Sequence, residues 1–254
     1  MPYLAVNGLK MYYEEHGAAN GRPLVLLHGF TSDGDFWRQQ IEPIGAHFRL
    51  IVPDWRGHGR TDNPGGPAQM NHHQFAHDAI ALCNELSLVR PSFCGESSGA
   101  MKLLWLGVEA PDLPQALILA GGSHFYSDDL RAWWRGQTPE SVTSKEGRVR
   151  LQSSHKALGS EHWRTVVAAW IALGEHTHTD DFPEKEALRD IRTPTLIVHG
   201  DRDHFFPVEV PLELFHLLPN AELCILPQTG HMPPDEHPEW FNPIVLDFLA
   251  RRAA

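Results

Sequence analysis

Gly95-Glu96-Ser97-Ser98-Gly99 sets a serine between glycines two residues away on either side. On a sharp strand-to-helix turn such a serine holds its Oγ out at the carboxyl edge of a sheet, and the glycines leave room for the crowded backbone. The five-residue pattern alone also suits an ordinary Gly/Ser loop. Its setting decides for the turn, because the apolar run Pro91 to Gly95 precedes it and a helical stretch begins near Ala100. A serine hydroxyl is a weak nucleophile at neutral pH, so Ser97 needs a base to take its proton and a third group to orient that base. Gly200-Asp201-Arg202-Asp203-His204-Phe205-Phe206-Pro207 and Thr229-Gly230-His231 both follow strand-like runs. Ligands of open α/β sheets bind at such strand ends. The order is serine, then aspartate at 201 or 203, then His231.

The elements that must position these groups are legible as an alternation. Leu4 to Val6 and Leu9 to Glu15 flank Asn7-Gly8 and read as a hairpin, since Asn-Gly supports the positive φ angles of a two-residue turn. Pro23 to Gly29, Phe48 to Asp54, Pro91 to Gly95, Ala116 to Gly122, Pro194 to Gly200 and Ala221 to Pro227 are nearly continuous apolar runs, as expected of strands covered on both faces. Phe75 to Leu88, with Phe75, Ala79, Leu82 and Leu86 on one face, reads as a helix, as do Met101 to Glu109, Val208 to Leu218 and Pro238 to Leu249. This is an α/β class chain with a mostly parallel central sheet of about eight strands and helices on both faces. From 125 to 190 no strand-like run occurs, and Trp133, Trp134, Trp163 and Trp170 concentrate there. That segment is expected to be a helical cap inserted into one core domain formed by 1–124 and 191–254.

Composition narrows the partners. Of 254 residues, 21 are Lys or Arg and 32 Asp or Glu, giving a net charge of -11 that repels phosphate backbones and anionic lipid. No nucleic-acid or membrane partner is expected, and no apolar stretch reaches the ~18 residues of a membrane span. The start of the chain lacks the pattern of a secretory leader, and three cysteines suit a reducing compartment; the expectation is a cytoplasmic protein. His176-Thr177-His178 is read as loop histidines with no metal, because no cysteine or paired carboxylate accompanies it.

Taken together, His28-Gly29-Phe30, Asp54-Trp55-Arg56-Gly57-His58-Gly59, the Ser97 turn, Gly200 to Pro207 and Gly230-His231 resemble the α/β-hydrolase superfamily over residues 3 to 250. The resemblance implies Asp203 as the acid, with Asp201 left as a turn carboxylate. It also implies backbone N–H groups of Phe30 and Ser98 as oxyanion donors, and no cofactor. It further implies a serine hydrolase that cleaves a small-molecule ester or lactone of largely apolar character. Serine at 97 excludes the aspartate-based epoxide hydrolases and haloalkane dehalogenases of this superfamily.

Carbon–carbon hydrolases of ring-cleavage diketones usually have Asn where Glu96 stands, and perhydrolases often have Trp where Phe30 stands. A ligand receptor that lost turnover is disfavoured by the complete set Ser97, Asp203 and His231. Phe30, His124, Trp133, Trp134 and Trp163 are candidate pocket residues. His28 and His58 are expected to bond loop backbone, and Glu96 either to bond backbone or to tune the electrostatics of the turn.

Overall fold

Asn7 and Gly8 both take positive φ, 48° and 77°, and so turn β1 (Tyr3–Val6) back onto β2 (Leu9–Gly17). The computed structural model describes residues 3–175 and 181–252. The sheet continues through β3 (Arg22–Leu27), β4 (Phe48–Pro53), β5 (Ser92–Glu96), β6 (Leu117–Ala120), β7 (Thr195–Gly200) and β8 (Ala221–Leu226). Its spatial order is β1-β2-β4-β3-β5-β6-β7-β8. The β1/β2 and β2/β4 pairs are antiparallel, and every pair from β4 to β8 is parallel. The carboxyl ends of β5, β7 and β8 therefore open on one edge.

Alternation along each strand feeds two cores. Val25, Leu27, Ile51 and Leu119 enter a core closed by α2 (His72–Glu85), α3 (Ser98–Glu109) and α8 (Glu209–Leu217). Leu24, Leu26, Leu50 and Ile118 enter the other, closed by α1 (Arg38–Gly45) and α9 (Pro238–Arg252). The strand from Ala221 is not covered on both faces as expected. It is the sheet edge, and only Leu226 is buried in it. The helix expected from Phe75 begins at His72, because the Asn71 side chain caps it by accepting from Gln74 N. It ends at Glu85, where Ser87 turns the chain at φ 50°.

Between β6 and β7 the described residues form α4 (Asp128–Trp134), α5 (Lys145–His155), α6 (His162–Glu175) and α7 (Lys185–Leu188), with no strand among them. Trp134 and Trp163 are buried, and the Trp134 and Trp170 rings meet edge to face at 5.7 Å. Histidines fasten these helices to the sheet side. His155 Nδ1 accepts from Gly59 N at 2.9 Å, its Nε2 donates to Thr31 O at 3.2 Å, and His162 Nε2 donates to Gly57 O at 2.8 Å. His176 and His178 lie outside the described residues. Among those described, no helix is long and apolar enough to cross a membrane.

Candidate active site

Ser97 follows β5 directly and caps α3 with φ 51° and ψ −118°. Holding a non-glycine residue there costs about 1–3 kcal/mol, and local packing enforces it. A Cβ on Gly95 would strike the Gly99 backbone, and one on Gly99 would strike Leu27 O, so the strand, the turn and α3 approach as closely as only glycine permits. Ser97 N donates to Ala120 O at 2.8 Å, which ties the turn to β6.

Two loops bring the remaining groups. His231 Nε2 lies 2.9 Å from Ser97 Oγ, and its Nδ1 lies 2.8 Å from Asp203 Oδ2. Asp203 is buried, and its Oδ1 accepts from Phe205 N at 2.8 Å and Phe206 N at 3.1 Å. Burial alone pushes its carboxyl upward. The bond and charge of His231, with His199 and the Phe205 N–H, outweigh that and hold it below the usual range. Burial likewise opposes a charged His231, while Asp203, Glu96 and Glu236 outweigh it and raise the imidazole. Asp201 is exposed and accepts from Thr229 N at 3.3 Å. It stands away from this chain of contacts, in the turn setting expected of it.

Glu96 is buried beside Ser97, with Oε1 3.9 Å from His231 Nε2. Burial, with the charge of Asp203 added, pushes it up to about 7 against the pull of His231 and Lys102. Its carboxylate also accepts from the Gly29 backbone, in the loop that carries Phe30. Lys102, buried in α3, donates to His28 O in that loop at 3.2 Å, and burial lowers it to about 7. His28 Nδ1 donates to Gly29 O and its Nε2 accepts from Trp55 N, while His58 Nδ1 donates to Arg56 O. Both rings therefore bond loop backbone.

Ser97, Glu96 and His231 open on a cavity of about 350 Å³. Its floor includes Phe30 and Phe205, and its roof comes from α5, α6 and the segment before them, with Thr143, Arg150, Leu151 and Trp170. Of the other expected pocket residues, Trp134 reaches only a small adjoining space beside Ser97 and Ser98. His124, Trp133 and Trp163 do not line the cavity. His124 turns toward α8, with Nε2 3.5 Å from Glu213 Oε2; Trp133 is 43% exposed; and Trp163 is buried in the hydrophobic core. Sequence periodicity gave no sign of Arg150, because α5 has hardly any apolar face, nor of Thr143, which precedes that helix. Phe205 was within reach of sequence reasoning, two positions after Asp203.

Relatives and solved structures share this architecture. The chain is 29% identical to 2-hydroxy-6-oxo-6-(2'-aminophenyl)hexa-2,4-dienoic acid hydrolase of Metapseudomonas resinovorans, over 99% of this chain and 91% of that protein. It superposes on the enol-lactonase of Burkholderia xenovorans LB400 with a TM-score of 0.79 and 23% identity, covering 98% of this chain and all of that one. For a thermophilic esterase of Thermogutta terrifontis the TM-score is 0.78 at 24% identity, covering 100% and 98%. At these identities the superpositions speak for the fold. The profile of the alpha/beta hydrolase family matches residues 24–244, and with the sheet order and the turn at Ser97 this makes the chain a member of the alpha/beta hydrolase family.

Proposed function

We propose that the protein is a serine hydrolase that cleaves a carboxylic ester or lactone, with Ser97, His231 and Asp203 as its catalytic residues. The observation that carries this reading is the unbroken chain Ser97 Oγ to His231 to Asp203, ending at a cavity. Ser97 Oγ attacks the acyl carbon while His231 Nε2 takes its proton and delivers it to the departing alkoxide. Water then repeats the sequence in reverse, releasing the acid and restoring Ser97. Asp203 holds the tautomer in which Nδ1 carries a proton and Nε2 is free to accept. The Phe30 and Ser98 backbone N–H groups receive the oxyanion; Phe30 borders the cavity, and Ser98 opens α3, where the first N–H groups have no helical partner. Residues 125–190 act as a cap that roofs the site on the core 1–124 and 191–254. The free cysteines Cys83, Cys94 and Cys224 support a cytoplasmic setting.

A second reading is cleavage of a carbon–carbon bond in a dienoic keto acid of the kind named for the Metapseudomonas relative. Arg150 favours it, since a guanidinium at the cavity suits a substrate carboxylate. A panel of p-nitrophenyl esters of graded acyl length, lactones and one such keto acid, assayed with wild type and Ser97→Ala, separates the readings. Turnover of esters that vanishes in Ser97→Ala supports the first. Preference for the keto acid favours the second, and full activity in folded Ser97→Ala discards both.

A further inference from the structure

We propose that His73, His77 and Glu109 form a binding site for a divalent transition-metal ion, zinc(II) foremost, that bridges α2 and α3. His73 and His77 are one turn apart on α2 and so share a face. Glu109 is the last residue of α3. The two helices pack against each other through Phe75, Ala79, Leu82, Leu103 and Leu106 in one core, which fixes the backbone positions of all three residues.

Both imidazoles address the same carboxylate through Nε2. His73 Nε2 contacts Glu109 Oε1, and His77 Nε2 lies 2.7 Å from Glu109 Oε2. All three donor atoms fall within 4.8 Å of one another. Zinc bonds of ~2.0–2.2 Å at tetrahedral angles separate neighbouring ligand atoms by about 3.3 Å. The cluster therefore admits an ion once the separations between ligand atoms change by at most about 1.5 Å, which side-chain rotation supplies.

The surroundings support it. The Trp105 ring lies 4.4 Å from that of His73 and is itself held by a bond from Nε1 to Asp181 O at 3.2 Å, so the His73 ring is braced from behind. The three side chains are 41%, 49% and 26% exposed, which leaves an open path from solvent. Two imidazoles and one carboxylate select zinc, copper or nickel over magnesium and calcium, which prefer all-oxygen sites. Exposed His–Glu contacts by themselves contribute little, whereas an ion would join the ends of two helices.

Calorimetric titration of the chelator-treated full chain with zinc chloride, and separately with magnesium chloride, tests this. One equivalent of zinc and no magnesium should bind. His77→Ala and Glu109→Gln should each weaken zinc at least about tenfold, and the His73→Ala/His77→Ala pair should abolish it. Zinc should raise the Tm of the wild type and not that of the double variant. If the double variant does not fold, Glu109→Gln, which keeps the side chain's shape, carries the comparison. Equal zinc affinity in wild type and variants, magnesium binding as strong as zinc, or no zinc uptake by the wild type would each overturn the site.

Discussion

Glu96 Oε1 lies 3.9 Å from His231 Nε2, at the ring nitrogen opposite the one that meets Asp203 at 2.8 Å. One imidazole thus stands between two carboxyl groups, and the negative charge of each raises it. Glu96→Gln keeps the shape and removes one charge. The acid limb of kcat/KM should move to lower pH in this variant, whereas a purely structural role for Glu96 would leave the limb in place.

The same carboxyl also bears on folding. Its folded value of about 7 stands above the ordinary 4.5. The stability it contributes is therefore complete below the unfolded value and lost as pH rises through about 7. Glu96→Gln should accordingly gain Tm relative to wild type at pH 8 and gain little at pH 4. An equal change at both pH values would contradict the assignment.

Asp203 and Asp201 make a matched pair for testing the acid. Asp203→Asn should lower kcat by about 10⁴-fold, because the asparagine no longer holds the productive tautomer. Asp201→Asn, on an exposed turn, should stay within about twofold. Single-turnover and steady-state rates with one ester settle the comparison, and the reverse order would reassign the acid.

Six buried histidines among the described residues are pushed toward the neutral form by burial. His28 and His58 fall well below the ordinary 6.5, His72 falls to about 3, His124 and His155 to about 4, and His199 is lowered as well. Depressed folded values mean that their contribution is present above about 6.5 and is lost as pH falls toward 4, since the unfolded chain binds the protons first. Each can cost up to about 1.4 kcal/mol per pH unit in that window. Asp33 and Glu96, raised to about 6 and 7 mainly by burial, pull the other way, but the histidines outnumber them. Urea midpoints should drop between pH 7 and 5, and the slope should flatten in His155→Gln.

Arg150 discriminates between the two substrate readings. It is exposed at the cavity wall, where an ion pair contributes at most about 1 kcal/mol. Arg150→Ala should raise KM about three- to fivefold for a substrate with a carboxylate and leave a neutral ester unchanged. Equal changes for both substrates would mean that Arg150 acts through packing alone.

The sheet, Ser97 and His231 were legible because each rests on a local signature, whereas Asp203 was preferred to Asp201 through the family resemblance. Strand runs end in Gly95, Gly200 and Pro227, and chemistry-bearing residues follow within a few positions. The hairpin turn at Asn7-Gly8 was legible for the same reason. Helix α1 was not, since it carries few apolar residues and has Pro43 inside it. The first turn of α2 is polar, so only its cap marks it. The roof of the cavity was hidden for a different reason. Bulk singled out Trp133, Trp134 and Trp163, but Trp134 and Trp163 are buried in the hydrophobic core and Trp133 is 43% exposed, and the residues facing the cavity include small and polar ones such as Thr143.

Lys102 reaches from beneath the turn to the carbonyl of His28, while Ser97 N is held by Ala120 O. Ser97, the His28 to Phe30 loop and the neighbouring strand are accordingly clamped together, which leaves little slack for remodelling the floor. Laboratory evolution toward a different acyl group should therefore harvest its beneficial changes from the helices overhead, around positions 142 to 170.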